Sequence, residues 1–293
     1  MFTLSPLIIS ILALTFAISA GLLNLYLVSM VFWIRSHEKK HELSLIYYRF
    51  FVDFIYDFAS SVNLGNMVRN LVLSENGLLQ YESLIFLTAW PNFNLGSTRV
   101  LLVFFITLER VLAACIPINY HNYRSKVTNP HIFLIIITYL LIDNTVIFYL
   151  CDWWLFNDPV DCAHFGCTVI KCYSYKWLVT EVVMYLVIGT LTMVLCIRLF
   201  IWNHCTKGPK NGNLTRANRI ALLDVFIIFS FDLIPSLLFS NYSSNFNIIS
   251  LGPLMFLTKN IGFVTESLVV CNVLLWRKRK QHGPNHSTIV MSN

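Results

Sequence analysis

Arg49, Asp53 and Asp57 stand at successive i,i+4 positions inside an apolar run, Tyr47 to Phe58, so a helix there carries all three on one face. Arg99 lies inside the next apolar run, and Asp143, Glu181 and Lys259 lie inside later ones. An ionised side chain near the middle of a bilayer costs about 2.5–3.5 kcal/mol on insertion scales. Such groups must meet one another, so the chemistry open to them is ion pairing, hydrogen bonding and the capture of a polar ligand. Catalysis is not indicated. No nucleophile accompanies a base at a common depth, no phosphate loop occurs, and the eight histidines all sit in loops, tails or run ends. No cofactor is expected.

The elements that must hold these residues are long and apolar. Hydrophobic residues make up 56% of the 293-residue chain and charged residues 12%, and mean hydropathy is +0.64. Soluble domains carry about 25% charged residues. A membrane-crossing helix needs about 20 mainly apolar residues, and seven runs qualify, near 6–34, 43–66, 83–108, 131–150, 177–202, 220–239 and 251–276. The first run has no basic segment ahead of it and is too long for the core of a cleaved signal peptide, so it is expected to remain as the first helix.

Fourteen of the twenty-one Lys and Arg residues fall in four segments, 35–42, 109–130, 203–219 and 277–293, whereas the alternate connections hold only Arg69, Lys171 and Lys176. This positive-inside bias predicts an all-α membrane protein, a seven-transmembrane helix bundle with its N-terminus outside and its C-terminus cytoplasmic. One domain is expected over 1–280, followed by a short disordered cytoplasmic tail at 281–293. The formal net charge of +6 places basic residues against anionic lipid rather than nucleic acid.

The third run ends Thr107-Leu108-Glu109-Arg110-Val111-Leu112-Ala113, followed by Pro117 and Tyr120. This resembles the Asp/Glu-Arg-Tyr motif of rhodopsin-like G-protein-coupled receptors, with their Pro-x-x-Tyr at the family spacing. The resemblance implies a rhodopsin-like arrangement in which Glu109 holds Arg110 at rest, Arg110 meets the G protein when the sixth helix swings out, and Pro117 and Tyr120 shape the second cytoplasmic loop. The plain alternative is an arginine that snorkels to lipid headgroups.

Arg99 lies about three turns before Arg110, near mid-membrane, and Asp53 or Asp57 is its most economical partner. The spacing of Asn24, in the first run, and Asp53, in the run after it, resembles the sodium pocket of rhodopsin-like receptors. Arg99 would then replace the sodium with a fixed cation. Asn24, Arg49, Asp53, Asp57 and Arg99 are thus expected to form one intramembrane polar network. In the expected outer half, Trp90, Phe93, Asn94, Asp143, Trp177, Glu181 and Lys259 suit the wall of a small-molecule pocket. Glu181 and Lys259 as a purely structural pair, and the tryptophans as interface anchors, remain open readings.

In the sixth run, Phe229 and Pro235 match two positions of the rhodopsin-like Phe-x-x-Cys-Trp-x-Pro motif, and Asp232-Leu233 replaces its Cys-Trp pair. Pro235 is expected to kink the helix, making Phe229, Asp232 and Pro235 an activation hinge. The seventh run lacks Asn-Pro-x-x-Tyr and reads Glu266-Ser267-Leu268-Val269-Val270-Cys271-Asn272 there. The Tyr48-Arg49-Phe50-Phe51-Val52-Asp53 stretch, the Glu109-Arg110 segment and the Phe-Asp-x-Ile-Pro element most resemble the nematode serpentine chemoreceptors of class BC, across nearly the whole chain. That resemblance implies chemosensation at the plasma membrane of a ciliated sensory neuron. The implied partners are a heterotrimeric G protein, a small-molecule chemical ligand and membrane lipid, with a receptor dimer left open and no nucleic acid.

Of the eight cysteines, Cys151, Cys162, Cys167 and Cys172 share one outward connection, where three pairings could staple it. Asn241 heads the one glycosylation sequon on the expected outer side. Two rival classes fit less well: a ligand-gated receptor-channel needs a cytoplasmic N-terminus, against the charge bias, and a transporter favours internal repeats, which the chain does not show.

Overall fold

The computed structural model describes residues 6–34, 44–75, 82–118, 120, 129–150, 173–205, 222–223, 225–235, 237–238 and 248–281, and all of its regular structure there is helical. The elements are α1 (Pro6–Ile34), α2 (Ser44–Glu75), α3 (Glu82–Cys115), α4 (Asn129–Thr145, continued by a π-helical turn, Val146–Leu150), α5 (Tyr173–Cys205), α6 (225–235) and α7 (Ile248–Gln281). Away from their ends, helices satisfy their backbone polar groups internally, which apolar surroundings demand. Pro6–Met30, Asn129–Leu150, Val179–Ile201 and Pro253–Asn272 are long and apolar enough to cross a membrane. The three charges crowded into residues 49–57 interrupt the apolar character of α2, and they face inward.

Several helices outrun the apolar cores that announced them. α2 continues to Glu75, so Arg69 lies within a helix rather than in a connection, and α5 begins at Tyr173, taking in Lys176. α7 carries on through the basic run Arg277–Lys280. Polar ends extend a helix at little cost once the apolar part has nucleated it.

The helices close a ring: α1 packs on α2, α2 on α3, α3 on α5, α5 on α6, α6 on α7, and α7 returns to α1, while α4 lies against α3. Small residues set the closest approach. Ala13, Ala17 and Ala20, at intervals of four and three, are fully buried on the face of α1, which lets backbones come together. One apolar cluster joins Leu27, Phe50, Leu102, Ile136 and Val270 from five helices, and a second joins Val103 of α3 with Tyr185 and Ile188 of α5 and Ile228 and Leu233 of α6. Large apolar side chains such as Leu22, Phe58, Ile142, Met193 and Phe226 point outward and are exposed. Arginines, aspartates and asparagines are buried instead, the distribution of a bundle whose solvent is lipid.

Candidate functional site

The centre of the bundle is built around Arg99. Its Nε donates to Asp53 Oδ1 at 3.1 Å and its Nη2 to Glu266 Oε2 at 2.7 Å. Its Nη1 stands 3.8 Å from Asp232 Oδ2, and its guanidinium lies over the Phe263 ring, 4.2 Å from the centroid. Arg49, fully buried, pairs through Nε with Asp53 Oδ2 at 3.2 Å and through Nη2 with Glu266. Two guanidiniums and three carboxylates thus tie α2, α3, α6 and α7 together. Pairs of this kind add little net stability because both partners are desolvated, yet removing one partner is costly.

Asn24 bonds one turn away from its expected partner. Its Nδ2 donates to Asp57 Oδ2 at 2.7 Å, not to Asp53, and its Oδ1 accepts from Ser267 at 3.0 Å. Asp53 is engaged by the two arginines, which leaves the next carboxylate on the same face to meet α1. A cavity of about 10 Å³, lined by Asn24, Phe50, Asp53, Phe263, Glu266, Ser267 and Val270, lies among these groups, close to the volume one water needs.

Among the expected pocket residues two clusters form. On one side Trp90 Nε1 donates to Asn144 Oδ1 and Asn144 Nδ2 to Asn94 Oδ1, both at 2.8 Å, joining α3 to α4. The Trp90 ring meets Phe148 edge-on at 6.0 Å. Asp143 is buried beside them in sequence, and Phe93 is half-buried. On the other side Lys259 Nζ donates to Glu181 Oε1 at 3.1 Å, and Tyr185 donates to that same oxygen at 2.8 Å. A Glu181–Lys259 pair, one of the readings left open, is therefore present between α5 and α7. Trp177 falls in α5. Cys151, Cys162, Cys167, Cys172 and Asn241 lie outside the described residues.

α6 is gripped through glycines. Phe229 packs on Gly189 of α5, and Phe231 on Gly262 of α7, where an added Cβ would come within 2.8 Å of the Phe231 Cβ. Residues 228–233 are π-helical, with Pro235 just beyond. A π segment widens the helix and often marks a functional position. Asp232 sits inside it, buried, and reaches the network through Arg99.

At the other end of α3, Glu109 and Arg110 are both buried. The Tyr120 hydroxyl donates to Glu109 Oε1 at 2.6 Å, and helical bonding from Ile116 N to Leu112 O and from Tyr120 N to Ile116 O carries the chain past Pro117 to deliver it. Arg198 Nε of α5 donates to the Ala114 carbonyl at 3.2 Å, occupying one of the last α3 acceptors.

Sequence reasoning missed Glu266, Ser267, Asn144 and Tyr185 as members of these clusters. A signal for Glu266 existed: it lies seven residues, two helical turns, from Lys259, and so shares the face of α7 that carries the other buried charge. The uncharged residues offered no comparable signal. The model of the family described as serpentine type 7TM GPCR chemoreceptor Srbc matches residues 1–278. No curated protein matches the chain.

Proposed function

The chain belongs to the Srbc family of serpentine type 7TM GPCR chemoreceptors, and from that premise we propose that it binds an external small molecule in the bundle and activates a heterotrimeric G protein. The supporting orientation has the N-terminus outside, with the basic segments and the 281–293 tail facing cytoplasmic lipid at the plasma membrane of a sensory cilium. The closed ring of helix contacts, with α4 against α3, supports a rhodopsin-like arrangement of a single seven-helix domain over 1–280.

The observation that carries the reading is the Arg99 junction. Its bonds to α2 and α7 are short, at 3.1 and 2.7 Å, but its contact with α6 is a 3.8 Å ion pair. Of these three contacts, the one to α6, the helix that must swing, is the longest. Glu181 and Lys259 sit on the two helices that flank α6, and Lys259 is one turn from Phe263, on which Arg99 rests. A ligand seated on that pair, with Trp90, Phe93, Asn94, Asp143 and Trp177 as further wall, can bias the latch through this chain of contacts, provided that it binds the two states unequally. Phe229, Asp232 and Pro235 form the hinge. Glu109, Arg110, Pro117 and Tyr120 form the G-protein end, where the Tyr120 bond to Glu109 fixes the carboxylate beside Arg110. Stapling of the outer connection by Cys151, Cys162, Cys167 and Cys172, a glycan on Asn241 and a receptor dimer complete the proposed assembly.

The test is a chemical screen in cells carrying the chain and a second-messenger reporter, run beside Arg110→Ala at matched surface expression. Responses should vanish in the variant. A response that persists and follows permeant ions would move the reading to a ligand-gated channel.

A further inference from the structure

We infer that the Glu181–Lys259 pair selects a neutral ligand that carries a hydrogen-bond donor, an alcohol or an amide N–H, over amines and carboxylates; this rests on the reading that the ligand sits at that pair. The Glu181 side chain is only 9% exposed, and its two oxygens are unequally used. Oε1 accepts from both Tyr185, at 2.8 Å, and Lys259, at 3.1 Å. Oε2 is buried with no hydrogen-bond partner among the described residues. A buried carboxylate oxygen that accepts nothing carries a desolvation penalty, and only a donor relieves it. The group that completes this site is therefore an O–H or N–H aimed at Oε2.

Charge decides between donors. Lys259 already neutralises Glu181, and its side chain, 19% exposed, is the more accessible of the two. An ammonium ligand would add a second cation to a pair that is already balanced, in surroundings where an uncompensated charge is expensive. A carboxylate ligand would approach an oxygen that repels it. An ether or ester has no hydrogen to offer. An alcohol or an amide satisfies Oε2 without changing the charge of the site. Position agrees with this role. Glu181 lies eight residues, about 12 Å, from the start of α5 at Tyr173, and Tyr185, which shares its carboxylate, belongs to the apolar cluster that packs on Ile228 and Leu233 of α6.

The experiment uses the full chain purified in lipid nanodiscs and measures binding by thermal shift with four probes of matched size: hexanol, its isomer methyl pentyl ether, hexylammonium and hexanoate. Hexanol should bind about ten- to a hundredfold more tightly than the ether, the usual effect of one hydrogen bond to a charged group. This comparison requires no substituted protein to fold. Lys259→Met should turn the preference toward hexylammonium. Glu181→Gln should turn it toward hexanoate and erase the discrimination between alcohol and ether. Equal binding of hexanol and ether by the unaltered receptor overturns the inference. Tighter binding of either ion by the unaltered receptor, if sensitive to Glu181→Gln, overturns the ligand class and leaves the site standing. Hexanol affinity identical in the unaltered receptor and both variants removes the ligand from this pair and overturns both readings.

Discussion

Asp232→Asn should switch the receptor on without ligand. Asp232 joins α6 to the Arg99 junction, where it is held at 3.8 Å. At that separation the gross attraction in an effective dielectric of about 20 is about 4 kcal/mol, most of it cancelled by desolvation of both groups. A net loss of about 1–1.4 kcal/mol on neutralising the carboxylate corresponds to a five- to tenfold rise in the population with α6 released. Asparagine keeps the size of the side chain, and Asp53 and Glu266 continue to hold Arg99, so folding should survive. The assay is ligand-independent reporter output at matched surface expression, with Arg99→Met as the contrast. That variant strips a cation from three buried carboxylates, a cost of about 3–5 kcal/mol, and should lose surface expression instead. Unchanged or lowered basal output from Asp232→Asn at normal expression refutes the latch. An equal rise from Asp53→Asn, which leaves α6 attached, would also refute it, because the effect would then belong to the network at large.

Gly262→Ala should lower the thermal midpoint of the purified receptor, since its Cβ would press on Phe231 and overpacking costs about 1–3 kcal/mol. Gly65→Ala, where nothing lies within 4 Å of the added carbon, should hold or raise it, adding up to about 1 kcal/mol of stability; equal effects at both positions would dispose of the glycine grip on α6. Exchanging sodium for choline at constant ionic strength should leave the midpoint unchanged, because Arg99 is a fixed cation bonded to both Asp53 and Glu266. A midpoint that climbs with sodium would contradict this.

Much of the centre was legible in advance because charge in an apolar run is conspicuous and must be paired. Arg49, Asp53 and Arg99 meet as that reasoning expects, and Lys259 meets Glu181. Asn24, expected beside Asp53, bonds instead to Asp57 and Ser267, since Asp53 and Asp57 share a face and differ by only one turn, a shift that spacing cannot resolve. Glu266 was hidden by the motif it stands in place of. Asn144 was invisible for another reason: a neutral amide in a helix costs too little to demand a partner, and only the approach of α4 to α3 shows that it joins Trp90 to Asn94.

Residue order alone shows a bundle of apolar helices and the charged face of the second, because hydrophobic length and i,i+4 spacing are properties of one helix at a time. That Arg99 gathers carboxylates from α2, α6 and α7, that Glu181 takes two donors on one oxygen, and that Phe229 and Phe231 seat against Gly189 and Gly262 emerges once the helices are assembled. Those outcomes depend on how far each helix is rotated and shifted against its neighbours. Rotation and shift are settled by packing summed over the whole ring, which no single segment of sequence contains.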